Sequence, residues 1–441
     1  MTYYKKKFFS LFFFFCIFSF CIIYLYFFRI ITDDELYNYG YAHNILNHLI
    51  PYRDFNMIVP PLFSYFCALF QFCLGDKLIT YHIVISLLIT SIFFLVYPKL
   101  GSSAFIILLF CLCYPYFGYN VFSLFLLFLL FSLKNNKKYY LLSSIIIILM
   151  ILTKQTFIFL IIPNLIESKN KRKTLFIYLI GLLGALLYFV WFDNLCQFIN
   201  YCFLGMFDFA SMNNNYGGIL FWVEIFLVIL LLFFYLRYRD IQSLYILFFQ
   251  IVVFPITDLF HFCIGIIPII YFLFKKFSFY RLINYLLFVF FFVIAFTLHF
   301  AIITSIKYDS LEHYSVKNFM YSRLVPSMIF NNVSKIKKEI DKNPTAVVFF
   351  LGTDAYLMKL NLDIPINQFD NINNGNMGYH GVENYILKIK KTCNDNKCMF
   401  VFKDDEATGK SISQTNQVIL NYVKDNNEQY YSSGCFDIYK N

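Results

Sequence analysis

The feature that most constrains this chain is its succession of uninterrupted apolar runs. Phe8–Phe28, Leu175–Trp191, Ile219–Leu236 and Leu282–Ile303 each hold about enough residues to cross ~30 Å of hydrocarbon as helix. Hydrophobic residues make up 60% of the 441, and charged residues 14%. A soluble domain carries about 25% charged residues. The composition therefore specifies a polytopic membrane protein. No function is read from the sixty Phe residues themselves, because Tyr and Phe near helix ends serve as interfacial anchors.

The net charge of +10 would suit a nucleic-acid partner if it formed one surface, but it is distributed otherwise. Up to about Ser305 the basic residues fall in short tracts between apolar runs: Lys5–Lys7, Lys99, Lys134/Lys137/Lys138, Lys169–Lys173, Arg237/Arg239 and Lys275/Lys276/Arg281. That is the positive-inside pattern, so the excess charge records orientation. The first apolar run lacks a small-residue cleavage site and leads straight into Arg29–Glu35, which reads as an uncleaved span. Nine of the twelve Cys residues precede residue 306, mostly inside apolar segments, and behave as small hydrophobes. Cys393 and Cys398 in the tail can pair if the tail faces an oxidising space.

Placing every basic tract in the cytoplasm gives about eleven spans, with the N-terminus inside and the C-terminus outside. They run at about 8–28, 79–97, 102–115, 121–133, 139–152, 156–166, 175–191, 219–236, 241–256, 262–274 and 282–303. A first outer loop covers residues 29–78. Within it, Leu36, Tyr39, Ala42, Ile45/Leu46 and Leu49 recur at helical spacing, so 35–49 reads as an amphipathic helix on the membrane surface. Pro61–Leu74 is apolar but gives only about 21 Å of helix, and making it a span would place Lys134–Lys138 outside. It reads as an interfacial or re-entrant helix, with a true span as the other possibility. After Ser305 the composition turns to Lys, Asn, Asp and Glu. Strands are expected at 346–351, 399–402 and 436–439, and helices at 333–341 and 382–391. The expected architecture is an all-α membrane domain over 1–305 and a small extracytoplasmic α/β domain over 306–441.

Three constellations can carry chemistry, and by this topology all three fall on the non-cytoplasmic face. Thr32-Asp33-Asp34-Glu35 follows the first span. Alone it is a capping box with acids at a helix N-terminus; a carboxylate there can also take a proton from an acceptor hydroxyl. Thr153-Lys154-Gln155-Thr156 sits at an outer turn. Its lysine either snorkels or holds a lipid phosphate. Asp258 and His261 lie i, i+3 before a short inward segment, where they either satisfy each other or serve a substrate. One Asp and one His are too few to hold a metal, and no His-x-x-x-His is present. Arg53 and Asp54 pair with each other or with substrate. Asn120 lies at another outer turn, and Glu224 and Asp193 have no assigned role.

The ordered series Asp34-Glu35-Leu-Tyr37, Ala42-x-x-Ile-Leu46, Ile50-Pro51-Tyr52-Arg53-Asp54-Phe55, Pro60-Pro61-Leu62 and Leu74-Gly75 resembles the first outer loop of membrane glycosyltransferases with the GT-C fold. It is most similar to glycosyltransferase family 39, which includes protein O-mannosyltransferases and lipid A aminoarabinose transferases. The likeness is specific over residues 8–100 and architectural to about 305. It implies a GT-C-like membrane domain and a hexosyl- or pentosyltransferase that takes its sugar from a polyprenyl-phosphate donor. It also implies that Asp34 is the essential carboxylate, with Glu35 its neighbour. The Thr-Lys-Gln-Thr run is similar to one in bacterial relatives. Some relatives carry a second acidic residue where this chain has Asn120, so a divalent-metal requirement is in doubt here though not excluded. No other cofactor is implied. The acceptor that the resemblance implies is an envelope lipid, glycan or protein, at a cell or plasma membrane. Other readings are a transporter, which predicts inverted repeats that the sequence lacks, a lipid-linked glycan polymerase or ligase, and an inactive scaffold.

Overall fold

The computed structural model describes residues 3–27, 33–113, 118–135, 139–205, 218–252, 259–277, 281–305, 335–351, 381–403, 414–432 and 436–441. Apolar sequence in a bilayer can satisfy its backbone only within a helix or a closed barrel, and the described residues up to Ser305 form a helical body. The helices are α1 (Tyr3–Phe27), α2 (Asp33–Leu46), α3 (Leu62–Leu74), α4 (Leu78–Leu100), α5 (Ala104–Cys113), α6 (Gly118–Ser132) and α7 (Tyr139–Ile151). They continue with α8 (Ile161–Glu167), which extends a 3₁₀ segment at Gln155–Leu160, and α9 (Lys171–Trp191). Then come α10 (Leu195–Ile199), α11 (Ile219–Tyr238), α12 (Ile241–Phe249), α13 (Leu259–Lys276) and α14 (Arg281–Ser305).

Long and short helices occupy different places. Lys171–Trp191, Ile219–Tyr238 and Leu282–Phe300 are long and apolar enough to cross a membrane, yet each is only 17% buried in the body. Their remaining apolar surface suits lipid. By contrast, α6 and α7 have 15 and 13 residues and line the interior, where Leu124, Leu127, Leu130, Ile147 and Met150 are fully enclosed. Short helices are tolerated there because protein rather than lipid surrounds their ends. Leu78–Cys113 is a further apolar stretch long enough to span. It folds back between α4 and α5 at Gly101, whose φ of 55° suits glycine.

One end of the body gathers the basic tracts. Lys99 Nζ donates to the Phe131 carbonyl at 3.3 Å, and Lys134 pairs with Glu167 at 3.4 Å. Lys276 lies 3.8 Å from Asp240 and 4.6 Å over the Tyr238 ring. Lys275 donates to Gln242 at 2.6 Å and feels the charges of Lys99 and Lys134. Tracts far apart in sequence thus share one level, as a common membrane side requires.

Helix α3 begins and finishes at the opposite end. Its first residue donates to the Leu152 carbonyl beyond α7 at 3.1 Å, and Phe63 packs on Tyr81 in the first turn of α4. Its last residue is separated from α4 by Gly75-Asp76-Lys77 alone. Asp76 of that link holds α2, accepting from Tyr39 at 2.8 Å and bonding His43. Both ends of α3 therefore lie beside the start of α4. The helix lies across that end, with Leu69, Phe72 and Leu74 facing out.

The C-terminal segment contains a helix at 335–341, α15, followed by α16 (Gly381–Asp395) and α17 (Gln414–Asn426). Its strands β1 (Val347–Leu351), β2 (Cys398–Lys403), β3 (Glu428–Ser432) and β4 (Phe436–Lys440) form one sheet of order β1-β2-β4-β3. β1 pairs parallel to β2, and the remaining pairs are antiparallel. Strand alternation explains the layering. Phe400 and Phe402 face Ile389, Ile419 and Val423 of α16 and α17, whereas Met399 and Val401 face Ile336 and Ile340 of α15. β3 and α17 lie outside the segments expected from sequence. β3 is a largely exposed edge strand and lacks the apolar run that marks β2. A Cys393–Cys398 disulfide joins α16 to β2.

Candidate active site

The first turn of α2 carries Asp33, Asp34 and Glu35, where acids oppose the positive end of the helix. The side chains of Asp33 and Asp34 lie outside the described residues. Glu35 is 2% exposed, and its Oε1 lies 3.6 Å from Nε2 of His82 on α4. The other end of α2 is held as firmly. His43 bonds Asp76, and the Asn47 amide donates to His43 Nε2 at 2.8 Å. Two histidine–carboxylate contacts thus fix α2 against α4 and the link before it, and they fix the backbone of Asp34 with it.

Gly118, the first residue of α6, brings the next element close. A Cβ there would lie 2.5 Å from Phe63 Cζ and would also strike the Tyr81 hydroxyl, so any side chain would force these two buried rings to shift. Tyr81 neighbours His82, which places the head of α6 beside the Glu35–His82 pair. Next along α6, the Tyr119 ring sits beneath Lys154, with Nζ 5.7 Å from its centroid. The Asn120 amide is buried, with no hydrogen-bond partner among the described residues.

Lys154 has an extended backbone between α7 and the 3₁₀ segment. Gln155 donates to the carbonyls of Ile58 at 3.1 Å and Cys202 at 2.7 Å. It thereby ties the first loop to the 200–204 turn. The loop is further held by Tyr52, which donates to Val59 at 2.6 Å, and by Asn194, which donates to Pro51 at 2.7 Å. Burial pushes the Tyr52 hydroxyl pKa up, and the neighbouring Cys202 adds to the effect, so Tyr52 acts as a neutral donor.

Arg53 and Asp54 pair with each other through two 2.8 Å hydrogen bonds, Nε to Oδ1 and Nη2 to Oδ2. Asp54 also accepts from the Ile50 N–H at 2.7 Å. Partial burial pulls the Asp54 carboxyl up. The Arg53 guanidinium, the Ile50 N–H and the positive charge of Lys388 on α16 outweigh it, leaving the group below its ordinary value.

His261, in the first turn of α13, is buried. α6 and α13 run in the same direction, since both finish at the basic end. The Tyr271 ring lies 5.2 Å from Phe128 and 6.0 Å from Phe131. Counting back about 15 Å from these contacts reaches His261 on one helix and Asn120 on the other. His261 therefore lies level with the head of α6. Asp258 lies outside the described residues, and so does its spacing to His261. Among the described residues no three His, Cys, Asp or Glu side chains gather as a metal site.

Glu35, Lys154, Gln155, Arg53, Asp54 and His261 thus share the end of the body away from the basic tracts. The sequence reading passed over His82, His43, Asp76 and Asn194, and gave Tyr52 no role of its own. His82 carried a signal, being an ionisable residue near the start of a long apolar run.

No family model matches the sequence, and no curated protein matches it. Among solved structures the chain is similar to ArnT from Cupriavidus metallidurans. In its apo state the TM-score is 0.54 at 11% identity, covering 99% of this chain and 98% of that one. Bound to undecaprenyl phosphate, ArnT matches at a TM-score of 0.53 and 11% identity over 98% of each chain. A likeness at this identity speaks for architecture alone, and the architecture shared is the GT-C fold.

Proposed function

We propose that this protein transfers one sugar from a polyprenyl-phosphate carrier to an envelope lipid, glycan or protein acceptor at the non-cytoplasmic face of the cell membrane. The observation that carries this reading is a juxtaposition. The acidic turn of α2, the head of α6 and Lys154 meet at the end opposite the basic tracts, in a fold whose relative ArnT holds undecaprenyl phosphate. A cytoplasmic basic end, as the positive-inside rule expects, supports an inside N-terminus. The Cys393–Cys398 disulfide supports an outer, oxidising location for the C-terminal segment.

Asp34 acts as general base. It takes the proton of the acceptor hydroxyl as that oxygen bonds to the anomeric carbon. The bond from the anomeric carbon to the phosphate oxygen breaks, and the phosphate leaves with the electron pair. Lys154 offsets its charge, with His261 or Arg53 contributing. Asp33 and the His82-held Glu35 position the base. Gln155 and Asp54 keep the first loop in place around the acceptor, and Asp258 joins His261 in contacting substrate. The phosphate carrier is itself the activated donor, so no nucleotide takes part.

The test uses a strain lacking the gene. Wild type restores one sugar to the cell-envelope glycans by mass spectrometry, and Asp34→Asn at normal protein level does not. Full restoration by Asp34→Asn would falsify the general-base assignment.

A further inference from the structure

Helix α11 faces lipid along most of its length, with Trp222, Phe226 and Ile229 each more than half exposed. Its one carboxylate, Glu224, turns the other way. The residue is fully buried, and neither carboxylate oxygen has a hydrogen-bond partner among the described residues. Removing such a group from water without a partner is costly, and a leucine at this place would avoid the cost. Its depth indicates what it serves. α11 and α13 finish together at the basic end, where Phe234 and Phe272 lie 5.3 Å apart and Lys276 lies 4.6 Å over Tyr238. Glu224 precedes Phe234 by ten residues and His261 precedes Phe272 by eleven, each about 15 Å along its helix. Glu224 therefore shares the level of His261 and of the head of α6, where Lys154 lies over Tyr119.

We infer that Glu224 is a sugar-recognising carboxyl, which binds neighbouring ring hydroxyls of the lipid-linked donor while Lys154 holds the phosphate. This rests on the glycosyl-transfer reading and adds a residue to its donor site. A carboxylate has two acceptor oxygens, and adjacent hydroxyls present two matching donors. A hydroxyl-bearing ring supplies the hydrogen bonds that the protein leaves unmade. A bare lipid phosphate does not, since its oxygens only repel a carboxylate. Glu224 thus distinguishes the loaded carrier from the spent one.

The experiment melts the detergent-solubilised full-length protein with undecaprenyl phosphate alone, and with undecaprenyl phosphate carrying a hexose or a pentose. Wild type is stabilised by the bare lipid, and further by at least one sugar-bearing form. Glu224→Gln and Glu224→Leu keep the bare-lipid shift and lose about tenfold in affinity for the sugar-bearing form. Without ligand, Glu224→Leu melts above wild type, because the unpartnered buried carboxyl is gone. The inference is overturned if both variants keep the sugar-dependent shift. A lower melting temperature for Glu224→Leu also overturns it, by showing a structural role. So does the lack of any added shift from the sugar-bearing lipids on wild type. Failure of the bare lipid to shift wild type sinks the glycosyl-transfer reading, and the inference with it.

Discussion

Glu35 and His82 face each other at 3.6 Å across α2 and α4, both almost wholly removed from solvent. The contact joins the acidic turn that follows the first span to the beginning of α4. Replacing one member removes a buried polar contact, at a cost of about 1–3 kcal/mol. His82→Ala and Glu35→Gln are each expected to lower the melting temperature in detergent. The double variant is expected to lose less than the sum, because the two side chains act as a unit. Strict additivity would show that they do not interact.

Lys154 stands over Tyr119 with its ammonium directed to the head of α6. Lys154→Met is expected to weaken undecaprenyl phosphate binding by about tenfold or more. Lys154→Arg retains more of it, because it keeps the charge. Calorimetric titration with the lipid in detergent checks this, and equal affinities for Met and Lys would dismiss the phosphate role.

A side chain at Gly118 must displace its neighbours. Gly118→Ala forces a methyl against Phe63 and the Tyr81 hydroxyl, an overpacking worth about 1–3 kcal/mol. The variant should melt lower, and Phe63→Leu in the same chain should restore part of the loss. A Gly118→Ala protein as stable as wild type would mean that α6 approaches α4 less closely.

The Arg53–Asp54 clip has a defined pH signature. Its folded carboxyl lies below the ordinary value of 3.8, so the unfolded chain binds the proton more readily. The clip's contribution is therefore complete above about pH 4 and declines as pH falls through the lower folded value. Asp54→Asn should flatten that acid limb while leaving stability at pH 7 to 8 parallel to wild type. Hydrogen exchange across 50–59 is the measurement, and an unchanged acid limb would contradict the pairing.

The Cys393–Cys398 bridge closes a short loop and is worth about 2 kcal/mol on the chain-entropy account. In intact cells both thiols should resist maleimide until a reductant is added, and Cys393→Ser should lower the melting temperature. Labelling without reduction would place the segment in a reducing compartment.

The membrane helices were legible because each apolar run overlaps an observed helix, as from Phe8–Phe28 to α1 and from Leu282–Ile303 to α14. The gathering of Lys99, Lys134 and Lys275 at one level was likewise implied by their positions between runs. Tertiary pairings were less accessible. Nothing in the local pattern around Glu35 signals His82, and nothing around His43 signals Asp76, since these pairs form only when α2 folds back onto α3, the link after it and the start of α4. The polar side chain of Asn194 reaches Pro51 from far along the chain. β3 escaped notice because a solvent-facing edge strand has no apolar alternation to betray it.

Because α3 departs from and returns to one side, it leaves the parity of the chain unchanged. On the proposed topology, every later segment inherits its sidedness from α1 as though the helix were absent. Lengthening α3 until it reached the far leaflet would flip each downstream loop in turn, turning the protein inside out from Asp76 onward. Its short apolar stretch is thus a topological safeguard as well as part of the surface beside the acidic turn.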